Sequence, residues 1–166
     1  MTPRTPTRSA DRPVDAPGRR RLPPLLRTSW YSLNQAFRRR LLRAGLNLTP
    51  DQFTILRWLD ERESEGMSQR QLSELMSSDP NTITSVLNRM QKSKFIVRKR
   101  HETDRRANRI CLTPVGKRAY GKARNIAVKL QREVLAALPE SRRERFLESL
   151  AVVAEASQRA SENSRP

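Results

Sequence analysis

The sequence has little of the chemistry that enzymes and metal sites depend on, with one cysteine, one histidine and five glycines among 166 residues. A single cysteine, Cys111, excludes an intramolecular disulfide and is typical of a reducing compartment. It cannot complete a four-ligand zinc site with one histidine, His101, so no metal is predicted. The few glycines form no phosphate-cradling loop, and no nucleophile motif is present. The sequence therefore predicts neither an enzyme nor a cofactor.

Long apolar runs are absent as well. No segment approaches the roughly 18 residues that a membrane span requires, and the N-terminus lacks the apolar core of a signal peptide. We therefore predict a soluble, cytoplasmic protein. Its 166 residues suffice for one domain, with or without a tail, whose core needs no disulfide.

Acidic residues are scarce, with 17 Asp and Glu against 34 Lys and Arg and a formal net charge of +17. A field of this sign concentrates polyanions around the protein. Composition therefore favours nucleic acid as the partner, with a ribosome or an anionic membrane surface as alternatives.

Residues 1–22 are rich in proline and arginine and nearly lack apolar side chains, which predicts disorder. They form either a basic arm that contacts DNA or a solvated tail.

The rest of the chain is mainly helical in pattern. A first helix is predicted from about residue 24, because Trp30, Leu33, Phe37 and Leu41 recur on one face. Gly45 provides its stop. The next three helices each begin at a capping residue. These signals are Thr49 with Gln52, Ser68 with Gln71, and Asp79 with Pro80.

Apolar stripes extend these predictions. The helix after Thr49 is expected to run to about Glu65. The residues predicted to face the core in the two helices after it are Leu72, Leu75, Met76, Ile83, Val86, Leu87 and Met90. Residues 95–97 and 110–112 are β-prone runs around a polar loop, which predicts a hairpin.

Two further helices follow the hairpin, one from Thr113 to about residue 138 and one after Pro139. The stripe of the last helix comprises Phe146, Leu147, Leu150, Val153 and Ala154. The predicted fold class is mainly α with a small β-hairpin wing (α+β). Two short helices, a tight turn and a hairpin follow the order of a winged helix-turn-helix.

The second helix of such a pair lies in the major groove of DNA, and here that helix runs from Asp79 to Lys92. A solvated polar face is the alternative interpretation of its outer side. The residues predicted to contact the major groove are Pro80, Asn81, Thr82, Thr84, Ser85, Asn88 and Arg89. Small polar groups of this kind hydrogen-bond base edges or phosphates.

Basic residues concentrate in the stretch 89–109, where the only acids are Glu102 and Asp104. Because this cluster coincides with the predicted recognition helix and hairpin, we predict a wing that contacts DNA. Arginine suits a narrow minor groove, whose potential is strongly negative. The wing residues predicted to contact DNA are Arg98, Lys99, Arg100, Arg105 and Arg106. His101 is expected in the same loop, near phosphates.

The segment 104–116 reads DRRANRICLTPVG. It resembles the wing signature of the MarR family of bacterial regulators, D-x-R followed by L-T-x-x-G. The resemblance implies a homodimeric regulator whose first helix and last two helices interlock with the partner. It further implies a near-palindromic operator, with Arg106 in the minor groove and Asp104 bracing the wing.

The implied organisation is a basic arm (1–22), an N-terminal dimerisation helix (23–48), a DNA-binding lobe (49–113) and C-terminal dimerisation helices (114–160). Many relatives bind a small aromatic effector between the dimer body and this lobe, which releases DNA. Trp30, Phe53 and Trp58 are the candidate pocket residues, with core packing as the alternative for each. We therefore expect a ligand-responsive repressor. The alternative is a sequence-independent nucleoid or architectural DNA-binding protein.

Two residues are unusual against this pattern. Lys94 stands where the family usually has glycine, and a left-handed backbone there would cost about 1–2 kcal/mol. Cys111 is either an oxidant sensor or, in a predicted strand, a small apolar residue; its position favours the second reading.

Overall fold

The computed structural model describes residues 21–62, 65–100 and 108–163, with only the backbone described for residues 100 and 108. Its elements are α1 (Leu22–Arg43), α2 (Pro50–Glu61), α3 (Gln69–Leu75), α4 (Pro80–Lys92), β1 (Ile96–Arg100), β2 (Asn108–Leu112), α5 (Pro114–Leu135) and α6 (Glu140–Glu162). The mainly α fold with a hairpin wing is confirmed. Residues 1–20 of the predicted arm 1–22 lie outside the described part, as do His101, Asp104, Arg105 and Arg106, whereas Leu22, predicted to belong to the arm, already begins α1.

The helix starts follow the local signals in the sequence. In α2 the Gln52 backbone N–H donates to Thr49 Oγ1 at 3.2 Å, and Thr49 N–H donates to Gln52 Oε1 at 3.0 Å. Ser68 and Gln71 form the same reciprocal pair at the start of α3. Both predicted capping boxes are confirmed, because each depends only on residues three positions apart.

Gly45 ends α1 as predicted. Its φ is +69°, and Leu46 N–H donates to Leu41 O at 2.9 Å while Gly45 N–H donates to Leu42 O at 3.0 Å. This pair of bonds is the Schellman arrangement, in which a left-handed residue lets the chain leave the helix.

The end of α2 differs from the prediction, because the helix stops at Glu61 rather than near Glu65. The chain has to turn early enough for Met67 to pair with Ile110 of β2, through N–H···O bonds of 3.0 and 2.8 Å. Gly66, at φ +60°, permits this approach. A Cβ at that position would lie 2.6 Å from Cys111 Sγ and 2.7 Å from Ile110 O.

The hairpin is antiparallel, in a register that runs from Ile96 opposite Leu112 to Arg100 opposite Asn108. Both strands extend beyond the β-prone runs, to Arg100 and from Asn108. Backbone pairing continues past the apolar residues because a strand tip in solvent needs no buried side chains.

One hydrophobic core connects the helices with the base of the hairpin. Its fully buried side chains include Leu41, Ile55, Leu56, Leu59, Leu72, Ile83, Leu87, Met90, Ile96 and Ile110. Aromatic rings link the first helices to α5, since Phe53 meets Phe37 edge-on at 4.9 Å and stacks on Tyr120 at 5.6 Å. Burial raises the pKa of the Tyr120 hydroxyl.

Some apolar side chains of the predicted stripes are exposed in the single chain. Leu75 is 44% exposed, so the prediction that it faces the core is wrong. Trp30, for which core packing was the alternative to an effector pocket, is 66% exposed, and Leu33, on the α1 face assigned to dimerisation, is 42% exposed. No side chain of α6 is buried, and its predicted stripe faces solvent. None of the described helices is both long and apolar enough to cross a membrane.

Candidate nucleic-acid interface

The turn between α3 and α4 is fixed by short polar contacts. Buried Ser73 donates its hydroxyl to Ser78 O at 2.6 Å, and Ser78 N–H donates to Ser73 O at 3.1 Å. Ser77 takes a left-handed φ of +46°, which turns the chain towards α4. These contacts set the angle between the two helices of the helix-turn-helix.

Asp79 caps α4 as predicted. Its carboxylate accepts the Thr82 hydroxyl, and its Oδ1 accepts the backbone N–H groups of Thr82 at 2.9 Å and Asn81 at 3.0 Å. The Thr82 hydroxyl bond, followed by the backbone bonds, holds the pKa of this carboxyl below its usual value. The carboxyl is therefore ionised above the acid range, where it can accept all three of these hydrogen bonds.

The two faces of α4 divide as the sequence pattern predicts. Ile83, Val86, Leu87 and Met90 are buried against the core. The seven candidate major-groove residues lie on the rest of the helix surface. Thr84 is half-buried, and the exposed ones are Pro80, Asn81, Thr82, Ser85, Asn88 and Arg89. The structure thus gathers all seven candidates on one helix with a continuous outer face.

Two of these candidates already use their hydroxyl protons inside the protein. Thr82 donates to Asp79, and Thr84 donates to Pro80 O at 2.7 Å. Gln69 in α3 donates its amide to Thr84 Oγ1 at 2.8 Å and so ties α3 to α4. Gln69 carries no signal of this role in the sequence, because its partner lies on another helix.

The exit from α4 is left-handed at Lys94, with φ +59°, as the departure from the family pattern suggested. Phe95 N–H donates to Met90 O at 3.0 Å and Lys94 N–H to Gln91 O at 2.9 Å. The helix therefore ends in a Schellman motif with a lysine at the position that favours glycine.

The base of the wing is held by the L-T-x-x-G part of the signature. Thr113 Oγ1 donates to Lys94 O at 2.6 Å and accepts the Gly116 N–H at 3.0 Å. A Cβ on Gly116 would lie 2.0 Å from Phe95 O. The threonine therefore caps α5, and the glycine lets that helix approach the backbone at Phe95, just beyond the end of α4.

Of the five wing candidates, the structure describes the side chains of two. Lys99 is exposed on β1. Arg98 is half-buried, and its guanidinium donates to Gln91 Oε1 at 2.6 Å and to Asn88 Oδ1 at 3.0 Å. The Arg100 side chain, the brace Asp104 and the wing cations Arg105 and Arg106 are outside the described part.

The three candidate effector residues are not brought together. Trp30 lines an open groove of about 530 Å³ with Tyr31, Arg38 and Pro50, which Phe53 and Trp58 do not line. Phe53 belongs to the aromatic stack described above. Trp58 is half-buried, and the guanidinium carbon of Arg57 lies over its ring, 4.6 Å from the ring centre.

Oxidant sensing and metal binding are the two alternative chemistries for the residues of this region. Cys111 is half-buried in β2 beside Gly66, in keeping with a packed small residue. Over residues 21–62, 65–100 and 108–163, no group of three His, Cys, Asp or Glu side chains is arranged to hold a metal ion.

Comparison with known proteins places this interface in a family context. The sequence model of the MarR family matches residues 48–107, from the start of α2 through the wing. No functionally curated protein matches the sequence.

Several solved structures have the same fold, and the similarity covers most of their chains and of this one. The MepR–DNA complex of Staphylococcus aureus is similar at a TM-score of 0.74 and 19% identity, covering 83% of this chain and 99% of that one. A probable transcriptional regulator from Pseudomonas aeruginosa is 28% identical, at a TM-score of 0.69 and coverages of 78% and 93%.

The transcriptional repressor CouR, bound to a 23-mer DNA duplex, is 24% identical at a TM-score of 0.70, with coverages of 78% and 89%. CouR from Rhodococcus jostii RHA1 has also been solved with p-coumaroyl-CoA, at 22% identity, a TM-score of 0.66 and the same coverages. The matched family and these structures are those of transcription regulators, not enzymes.

Proposed function

We propose that the protein is a MarR-family transcription regulator, a ligand-responsive repressor that binds a near-palindromic operator as a homodimer; the match of the family model to residues 48–107 supports this assignment. The observation that carries the proposal is the outer face of α4. It is polar, exposed and capped at its N-terminus by Asp79, and it lies beside a basic strand. A regulator of this kind acts on the chromosome, so we expect it in the cytoplasm with the nucleoid.

In this proposal α4 enters the major groove, and its exposed face from Asn81 to Asn88 lies against the bases. Asn81, Ser85 and Asn88 are the exposed side chains short enough to permit close approach. Arg89, with its longer side chain, contacts bases or backbone. Lys99, Arg100 and Arg105 supply phosphate contacts on the wing, where Arg106 reads the minor groove and Asp104 braces it.

Dimerisation is proposed through the unpaired apolar faces of α6 and the start of α1. The large apolar residues exposed there are Leu22, Leu25, Leu26, Phe146, Leu147 and Leu150. Soluble monomers rarely expose contiguous patches of this kind. A second copy of the chain is the occupant that fits, because a twofold pair also places two α4 helices for a palindromic site.

The dimer is tested by charge insertion on one side of α6. Leu150→Glu should give a monomer by light scattering, because it places a carboxylate in the proposed apolar interface. Val152→Glu is the matched control, since Val152 is 63% exposed and lies two residues on, away from the Leu150 face. Equal effects of the two substitutions, or a dimeric Leu150 variant, would contradict the α6 interface.

A small aromatic effector is proposed to release DNA. The groove around Trp30 joins aromatic rings with Arg38, a combination that suits an anionic aromatic ligand. Phenolic acids and their coenzyme A thioesters are the first probes, titrated against the fluorescence of Trp30→Phe and Trp58→Phe variants. If a probe quenches the wild-type fluorescence and the quenching is lost in only one variant, the tryptophan replaced in that variant lies beside the ligand. If no probe changes the fluorescence, the result argues against this effector class.

DNA specificity is tested by selection from a random duplex pool at near-physiological salt. We expect enrichment of a near-palindrome with half-sites about 10 base pairs apart, preferred over unrelated duplex by at least about 10³-fold. Tight, salt-sensitive binding without enrichment would favour the alternative, an architectural DNA-binding protein. The net charge of +17 is compatible with that alternative, because it favours DNA of any sequence.

A further inference from the structure

Arg98 lies in the middle of β1 but does not project from the wing like its neighbour. Successive strand residues face opposite sides of a hairpin, so Arg98 shares the face of Ile96, which is 2% exposed. Its partner across the ladder is Ile110, also buried. Arg98 is itself half-buried, whereas Lys99, on the other face, is exposed.

The Arg98 guanidinium reaches from this strand to the recognition helix. Nη1 donates to Gln91 Oε1 at 2.6 Å, and Nη2 donates to Asn88 Oδ1 at 3.0 Å. Asn88 and Gln91 are three residues apart and therefore adjacent on one side of α4. One planar group thus holds two neighbouring side chains of that helix.

The partners of Arg98 are amide oxygens rather than acids. No carboxylate in the described segments of the chain lies within salt-bridge distance of its guanidinium. With Oδ1 of Asn88 turned towards the wing, the amide N–H groups of that residue remain for an acceptor elsewhere. Acceptors are what the edges of guanine and thymine present in the major groove.

We propose that Arg98 is a positioning residue for DNA recognition. It fixes the wing strand to the second half of α4 and orients the Asn88 amide as a hydrogen-bond donor, and it is not itself a phosphate contact. The inference rests on the proposed function, in which α4 reads DNA. It reassigns Arg98 from the set of direct wing contacts to a role exerted through Asn88 and Gln91.

The geometry supplies a way to separate the two roles. A fork of two N–H donors is a property of guanidinium that an ammonium group cannot reproduce, whereas both carry the positive charge that a phosphate needs. Arg98→Lys therefore removes the two-point contact and keeps the charge. Arg98→Met removes both and retains an apolar stem along the strand.

The experiment measures affinities of the wild type, Arg98→Lys and Arg98→Met for the selected duplex and for an unrelated duplex, over a range of salt. We expect both variants to lose about ten-fold on the selected duplex and at most about two-fold on the unrelated one. The slope of log affinity against log salt should be unchanged, whereas Lys99→Met, the matched control on β1, should reduce it by about one. Thermal denaturation verifies that each variant is folded.

The inference is overturned if Arg98→Lys binds the selected duplex like the wild type while Arg98→Met loses about one unit of salt slope, because Arg98 would then be a phosphate contact. Coupling gives a second criterion. Arg98→Lys should weaken an Asn88→Ala protein by less than two-fold, since Asn88 is the one of the two held side chains that is proposed to donate to the bases. Fully additive losses would contradict that route.

A measurement without DNA keeps this inference separate from the proposed function. In the free protein, the side-chain amide NMR signals of Asn88 and Gln91 should shift in Arg98→Lys and not in Lys99→Met. Unmoved signals overturn the clamp itself. A wild type that prefers no duplex would instead refute sequence-specific regulation, and shifted signals would still uphold the clamp.

Discussion

Replacing Lys94 by glycine should stabilise the protein, although it removes a side chain from a basic surface. Lys94 holds φ +59° just after the end of α4. For a residue with a Cβ this conformation costs about 1–2 kcal/mol, because the Cβ approaches the following carbonyl oxygen. Lys94 is exposed, so little packing is lost with its side chain.

The expected gain is smaller than the strain. Glycine adds freedom to the unfolded chain, which opposes folding by roughly 0.5–1 kcal/mol. The net increase in the free energy of unfolding is therefore about 0.5–1 kcal/mol, or a rise in the melting temperature of about 1–4 °C for a chain of this size. Differential scanning calorimetry at one fixed protein concentration measures it, since oligomers melt at concentration-dependent temperatures.

Two matched substitutions isolate the backbone effect. Lys94→Ala keeps a Cβ in the left-handed conformation and should melt with the wild type. Lys92→Gly lies in the last turn of α4 and should destabilise by up to about 1 kcal/mol, as glycine does within helices. If Lys94→Gly melts no higher than Lys94→Ala, the argument from left-handed strain is refuted.

Two further predictions concern the helix starts on either side of the wing. Gly116→Ala should lower the free energy of unfolding in urea by about 3 kcal/mol, because its Cβ would overlap Phe95 O. Gly121→Ala, with open space around the new Cβ, should not destabilise the protein. Similar losses at both sites would contradict the close approach. Asp79→Ala should destabilise α4 at pH 7. The pKa of Asp79 is lowered chiefly by Thr82, so its contribution is complete above the usual aspartate range near pH 4 and is lost as the pH falls through the lowered value. The gap between the wild type and Asp79→Ala should therefore close on acidification, and a gap independent of pH would show that the carboxylate charge is not what caps the helix.

The features that the sequence predicted correctly are those determined within a few residues. The caps at Thr49, Ser68 and Asp79 each involve a partner two or three positions away, and all three form. The buried stripe of α4 has the same local origin, because helical spacing alone brings its members to one face. The left-handed turn at Lys94 followed from a comparison of motifs rather than from periodicity.

The features that it missed depend on distant residues or on a partner. The early end of α2 reflects the fit of Gly66 against Cys111, which no local pattern encodes. Gln69 and Gln91 read as ordinary exposed polar residues until their partners Thr84 and Arg98 are in place. The stripe of α6 is a correct apolar pattern whose burial, in the proposed dimer, requires a second chain.

Taken together, the contacts around α4 restrict how a ligand could alter DNA binding. The helix is tied to α3 through Gln69 at its first turns, to β1 through Arg98 in its second half, and to Thr113 through the carbonyl of Lys94 at its exit. Each tie joins α4 to a different element, so turning the helix alone would break several hydrogen bonds at once. In the proposed dimer, an effector would therefore change affinity by moving the two DNA-binding lobes relative to each other, because half-site spacing is then the property that changes at the lowest cost.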